Sequence, residues 1–195
     1  MRHYRAVSAL DQKHRYNLAV TYALPFQLQG GGGMRWIARE AFGGWAMSGF
    51  LTLTSGMPLS VTQANGRPIR LHSPQLSGSV ESRLGDKLDA SGHVLNPYFD
   101  ITAFQALPNQ FTISPEPPEL DDLRAPGTHT LNLALFKAFP IREQVKLQIR
   151  LEATGATNTP NFGPPGTNMS QAATFGVITS AGGARAMQGS ARMVF

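Results

Sequence analysis

The stretch Val145–Asn158, VKLQIRLEATGATN, places Val145, Leu147, Ile149, Leu151 and Ala153 on one side and Lys146, Gln148, Arg150, Glu152 and Thr154 on the other. An apolar residue at every second position is the signature of a strand with one face against something greasy and the other against something wet. A helix would have spread the same residues around its axis. The segment just before it, Thr128–Ile141 (THTLNLALFKAFPI), aligns Leu131, Leu133, Leu135, Phe139 and Ile141 in the same way, and only Arg-Glu-Gln separates the two, a connection tight enough for a hairpin.

The rhythm recurs at both ends of the chain. Ala184–Phe195 (ARAMQGSARMVF) puts Met187, Gly189, Ala191, Met193 and Phe195 on one face, with Ala186, Gln188, Ser190, Arg192 and Val194 on the other. Arg15–Phe26 (RYNLAVTYALPF) places Tyr16, Leu18, Val20, Tyr22, Leu24 and Phe26 opposite Arg15, Asn17, Ala19, Thr21 and Ala23. Residues 45–62 continue with Trp45, Met47, Leu51, Leu53, Met57, Leu59 and Val61 against Ser48, Thr52, Thr54, Ser60 and Thr62; Phe50 breaks the polar side, and Pro58 marks a bulge or an end. Strands are therefore expected at about 15–26, 45–62, 128–141, 145–158 and 184–195, in one domain covering residues 1–195.

The connections differ in kind. The link QLQGGGGM, residues 27–34, reads as a flexible turn rather than a phosphate-binding loop, because Met34 and Arg35 stand where a Gly-Lys-Ser/Thr ending is required. Residues 63–127 are rich in Pro, Gly, Ser, Asn and Asp and carry no sustained period, which predicts a long, partly ordered loop; within it NPYFDITAFQALP, residues 96–108, is aromatic enough to pack on something. No helix of ordinary length and no tandem repeat is evident.

Composition excludes several classes. Charged residues make up 15% of the 195-residue chain, and there is no Cys, so disulfides, thiolate nucleophiles and cysteine-bound metals are out. The net charge of +5 comes from scattered residues such as Arg5, Arg35, Arg70, Arg124, Arg150 and Arg192, not from a dense basic run, so no nucleic-acid partner is expected. His3, His14, His72, His93 and His129 lack metal-ligand spacing, Asp121 and Asp122 sit in a Pro-rich loop, and no Gly-x-Ser-x-Gly elbow occurs. Neither a catalytic site, a metal site nor a cofactor is expected, and the chain is not read as an enzyme. No stretch reaches the ~18 apolar residues of a spanning helix, and no apolar segment of signal-peptide length follows the first basic residues.

Strands that are apolar on one side suit either a sandwich or a membrane barrel. A soluble or surface-attached sandwich would bind carbohydrate or protein through residues 63–127. Four features favour the barrel. The patterned segments reach the ~9–11 residues a tilted spanning strand needs. Short and long connections alternate. Phe26, Trp36, Trp45, Phe139 and Phe195 fall at the short-turn rim, where an interfacial aromatic girdle sits. Lys146, Arg150 and Glu152 on one strand are solvated by a water-filled lumen but would need partners in a core. Lys137 is the exception on the apolar side; at about 9 Å from the turn at Arg142 its stem is expected to snorkel outward.

Taken in order, DQKHRYNLAVTYALPF, GWAMSGFLTLTSGMPLSV, YFDITAFQALP, LNLALFKAFPI, LQIRLEATGATNTPNFGPP and FGVITSAGGARAMQGSARMVF resemble the C-terminal part of a TonB-dependent outer-membrane receptor, of the type with an N-terminal carboxypeptidase-regulatory-like domain. Two departures stand out. Thr154, Gly155 and Ala156 replace a more aromatic pattern, and Gly189 and Ala191 are small where bulkier residues are usual. The resemblance implies an all-β, antiparallel meander of long strands: an incomplete segment of a transmembrane β-barrel in the outer membrane, with a long extracellular loop. Such transporters close with about 22 strands around a plug, so five strands imply a fragment or a reading frame begun at an internal Met. It further implies import of a scarce nutrient, with outer-membrane lipid, the rest of the barrel and plug, the TonB system and the barrel-assembly machinery as partners. Arg15, Asn17, Lys146, Arg150, Glu152 and Arg192 would face the lumen, and Phe195, Met193 and Ala191 would form the C-terminal assembly signal.

Overall fold

The computed structural model describes residues 6–25, 43–109, 111–142 and 145–195. In chain order its strands are β1 (Arg15–Ala23), β2 (Ala46–Thr54), β3 (Pro58–Leu59), β4 (Ile69–Arg70), β5 (Phe104–Gln105), β6 (Leu120–Arg124), β7 (Thr128–Pro140), β8 (Lys146–Thr154), β9 (Asn161–Phe162), β10 (Ala181–Gly182) and β11 (Ala186–Val194). Two single-turn 3-10 helices, Val80–Ser82 and Ile101–Ala103, complete the described elements. The chain divides into two compact units, one made of the segment up to Arg15, Thr54–Thr128 and Pro160–Gly182, the other of Tyr16–Leu53, His129–Thr159 and Gly183–Phe195.

The second unit holds the long strands, in a five-stranded sheet of order β1-β2-β7-β8-β11. Each strand lies beside its predecessor among the long strands, the meander expected of hairpin-linked segments, and the sheet does not close on itself. Four of the five strands span nine residues and β7 spans thirteen, long for a sandwich and about what a tilted strand needs to cross a bilayer. At the turn, Arg142 and Val145 exchange backbone hydrogen bonds, each 3.1 Å, closing the β7–β8 hairpin.

Register carries the period-two pattern across strands. Leu135 pairs with Leu151 and Leu151 with Gly189; Phe139 pairs with Leu147 and Leu147 with Met193. Between those rows Phe136 pairs with Arg150 and Arg150 with Ser190. One face of β7, β8 and β11 is thus apolar but for Lys137; the other is polar along β8 and most of β11 but carries Ala134, Phe136 and Ala138 on β7. A one-residue slip would reverse both, so this register is strongly specified. The apolar face is not a core: Leu151 is 49% and Met193 51% exposed, and Tyr16, Leu18, Val20 and Tyr22 of β1 are exposed as well. A sandwich would have covered these side chains.

The first unit has a separate core of Leu59, Val61, Phe99, Ala103, Phe104, Leu120, Leu123 and Phe175, flanked by Tyr98, Ile101, Ala125 and Met169. Phe99, fully buried, meets Phe175 at 5.2 Å and Phe104 at 5.9 Å between ring centroids, both edge to face. The positive ring edge then points at the negative face of its neighbour, worth about 0.5–1.5 kcal/mol per pair beyond area burial. Residues 63–127 are therefore not a loop with one packed patch. They supply most of a folded unit whose third aromatic, Phe175, comes from the turn-rich stretch after β9.

The strand expected over residues 45–62 ends at Thr54, and Pro58–Leu59 instead pairs with β6 across a register shift. Gly56 explains the break: a Cβ there would lie 1.7 Å from the Ala125 carbonyl oxygen, so the two backbones meet at a distance only glycine permits. Lys137 shares the apolar face, paired with Ile149, but is 5% exposed, with Nζ 4.4 Å from the Phe139 ring centroid. Its stem runs toward the turn as expected, yet the charge lies over an aromatic face instead of reaching water. Of the aromatics assigned to a rim girdle, Phe26 and Trp36 lie outside the described residues, Trp45 and Phe139 are half-buried, and Phe195 is exposed.

Candidate functional site

The polar face of the sheet gathers the chemistry. On β8, Arg150 and Glu152 are two residues apart and so share this face, and Arg150 Nε donates to Glu152 Oε1 at 2.7 Å. Register sets Gln188 of β11 opposite Glu152, and its Nε2 donates to Glu152 Oε2 at 2.5 Å. On the other flank, Phe136 of β7 stands opposite Arg150, with the guanidinium carbon 5.9 Å from the ring centroid. The carboxylate is thus bonded at both oxygens, while the terminal nitrogens of Arg150 make no hydrogen bond among the described residues.

Toward β1 the same face hollows into an open groove of about 420 Å³. Its floor is shallow because Ala19, Ser48 and Ala134 are small; Phe50, Asn132 and the Arg150–Glu152 pair rise at its sides. Asn132 accepts from the Gly155 backbone N–H at 3.1 Å, which holds its side chain in place. Thr21 and Ser48 bring hydroxyls.

Of the residues assigned to a lumen, Lys146, Arg150, Glu152 and Arg192 lie together on this face: Lys146 pairs with Val194, and Arg192 with Gln148. Arg15 and Asn17 belong to β1, separated from β8 by β2 and β7, so they join no contact with that group. Met193 and Ala191 sit on the opposite, apolar face, beside Leu147 and Ile149, and Phe195 follows the end of β11. Sequence reading missed Gln188 and Phe136 as partners, since only cross-strand register aligns them with Glu152 and Arg150. Phe50 carried a signal, being the one aromatic interrupting an otherwise polar alternation in its strand.

The sequence matches the family described as Outer membrane beta barrel domain over residues 1–188. The chain belongs to this outer-membrane β-barrel family. No curated protein and no solved structure matches it. In an outer-membrane barrel the apolar side of each strand meets hydrocarbon and the other side water. The sandwich alternative loses its basis, because membership places the protein in the outer membrane and the apolar face stands uncovered.

A second cluster lies in the first unit of this barrel protein. Arg124 Nη2 binds Asp11 at 2.5 Å and Asp121 at 2.6 Å, and Nη1 donates to the backbone carbonyls of Asp11 and Gly56. Lys13 adds a 3.0 Å contact to Asp121. Hydrogen bonds from Arg124 and then Lys13 hold the Asp121 carboxyl below the usual carboxylate range, while Asp121 and Asp11 raise Arg124 further. Asp100, the cap of the Ile101–Ala103 turn, is likewise held low, first by the Thr102 hydroxyl and then by the His72 ring 3.0 Å away. Burial pushes the Tyr98 phenol up, against the nearby Arg83 charge. These groups tie distant segments together; among the described residues no cluster of His, Asp or Glu is arranged to hold a metal ion.

Proposed function

We propose that this chain forms the C-terminal barrel wall and outer loops of a TonB-dependent receptor that imports a scarce nutrient and performs no chemistry on it. The observation that carries the reading is the folded unit built mostly from the chain between β2 and β7. A core built on three edge-to-face phenylalanines is far more than a strand connection requires, and large structured loops suit a protein that captures a solute before passing it through a lumen. The polar face, with its groove and its charged and amide side chains, supports the same reading, since a hydrated path needs groups that exchange contacts with solute and water alike. The partners it calls for are outer-membrane lipid, the plug and remaining strands, the TonB system and the barrel-assembly machinery acting on Phe195, Met193 and Ala191.

The test is energised uptake. Cells carrying the full-length gene are expected to accumulate a nutrient that cells lacking it do not, and to stop when TonB is deleted or the proton gradient collapsed. Uptake that persists without TonB makes the protein a passive porin and refutes the proposal.

A further inference from the structure

The polar face changes character toward the β7–β8 hairpin. Register sets Lys146 between Pro140 and Val194, Gln148 between Ala138 and Arg192, and Arg150 between Phe136 and Ser190. β7 thus contributes an apolar strip of Phe136, Ala138 and Pro140, and β8 and β11 set cations beside it. Arg150 is neutralised by Glu152. Lys146 and Arg192 are not: both are exposed, and neither side chain makes a hydrogen bond or ion pair among the described residues. As diagonal neighbours on adjacent strands they stand about 7–8 Å apart, within the Debye length of about 8 Å at physiological salt, so they repel each other. β2 and β7 bring no acidic residue to offset them.

We propose that this end of the face is the seat of an acidic segment of the plug. The inference rests on the receptor reading, which sets a plug against this wall. A carboxylate between Lys146 and Arg192 replaces one repulsion by two charge-assisted hydrogen bonds. The apolar strip decides for protein over a small anion. Phosphate or a carboxylate solute would meet the cations and leave Phe136, Ala138 and Pro140 against water. A protein segment covers the strip with its own apolar side chains and meets the cations at the edge, the usual arrangement of a protein interface. Ala138 and Pro140 are both exposed and compact, which lets a backbone come close. The hairpin is the short connection of the sheet, and short turns mark the periplasmic rim, so the acidic segment belongs to the periplasmic half of the plug.

The test is photo-crosslinking of the full-length receptor in outer membranes, with benzoylphenylalanine replacing Ala138 and the joined peptides mapped by mass spectrometry. The expected product is an internal cross-link to a plug segment that carries at least two Asp or Glu residues. Lys146→Glu with Arg192→Glu should lower its yield by roughly tenfold at low salt, and the loss should shrink at 1 M salt, where the Debye length is about 3 Å. Lys146→Arg with Arg192→Lys should keep the yield. Heat-modifiable migration checks that each barrel has folded. If the reversed pair does not assemble, Lys146→Gln with Arg192→Gln decides instead, and should remove the salt dependence of the yield. Three results overturn the proposal: no internal cross-link forms; the cross-linked segment is basic or uncharged; or the yield is indifferent to both charge and salt. An acidic cross-link in a receptor whose uptake ignores TonB would sink the transporter reading alone. TonB-driven uptake by a receptor whose cross-link falls on a basic or uncharged segment would sink this one alone.

Discussion

Replacing Leu151 by arginine separates a lipid-facing sheet from every soluble alternative, and its effect can be worked from position. Leu151 lies six residues beyond Val145 at the hairpin turn. At about 3.3 Å per residue and a tilt of about 45°, its side chain sits about 14 Å from the rim, near the middle of an apolar band about 25 Å tall. An arginine there should cost about 2–4 kcal/mol, whereas one near the interface should cost about 0–1 kcal/mol. Met193, paired with Leu147 close to the same rim, supplies that shallow control. Gln148→Arg supplies a second control, because Gln148 faces the polar side between Ala138 and Arg192. On a soluble protein a half-exposed leucine would tolerate the same change within about 0.5 kcal/mol. The assay is reversible denaturant unfolding of the assembled barrel in lipid vesicles, read as the shift in midpoint at constant slope. The expected order of cost is Leu151→Arg well above Met193→Arg, with Gln148→Arg near zero. A Leu151→Arg variant as stable in vesicles as the unmodified protein, or a Met193→Arg variant costlier than it, would refute the assignment of this face to hydrocarbon.

Other outcomes follow from the first unit. Phe99→Ala removes the ring shared by both aromatic contacts and should destabilise that unit by about 3–5 kcal/mol, seen as faster amide exchange at Leu59 and Val61 while β8 and β11 stay protected. Arg124→Lys keeps the charge but loses the fork that holds Asp11 and Asp121 together, and should cost about 1.5–3 kcal/mol, measurable as increased proteolysis within residues 6–15. Asp100 has a depressed folded-state pKa, so its contribution is full above the unfolded value near 4 and is lost as pH falls through the lower folded value. Asp100→Asn should therefore flatten the acid limb of the unit's stability; an unchanged limb would show that the Thr102 and His72 contacts contribute nothing.

Five long strands, their order of appearance and the face each side chain takes were legible in the sequence, because period-two alternation is local and any three consecutive pairs of residues reveal it. Length and the alternation of short and long links were enough to favour a barrel over a sandwich. The folding of residues 63–127 was not legible: its core needs Phe175, more than seventy residues from Phe99, and no local pattern announces that meeting. Thr54 as a strand end was hidden too, since the alternation runs on to Val61 and only the approach of Ala125 to Gly56 stops it. The polar network was half visible. Arg150 and Glu152 declare themselves two residues apart, but Gln188 joins them only once β11 pairs with β8 in one register, and Arg124 finds Asp11 across 113 positions of chain. Local sterics and the two-residue repeat set which way each side chain points, so sequence alone determined the faces of the sheet. Which residues touch across strands depends on how the whole chain closes on itself, and tertiary structure alone decided that.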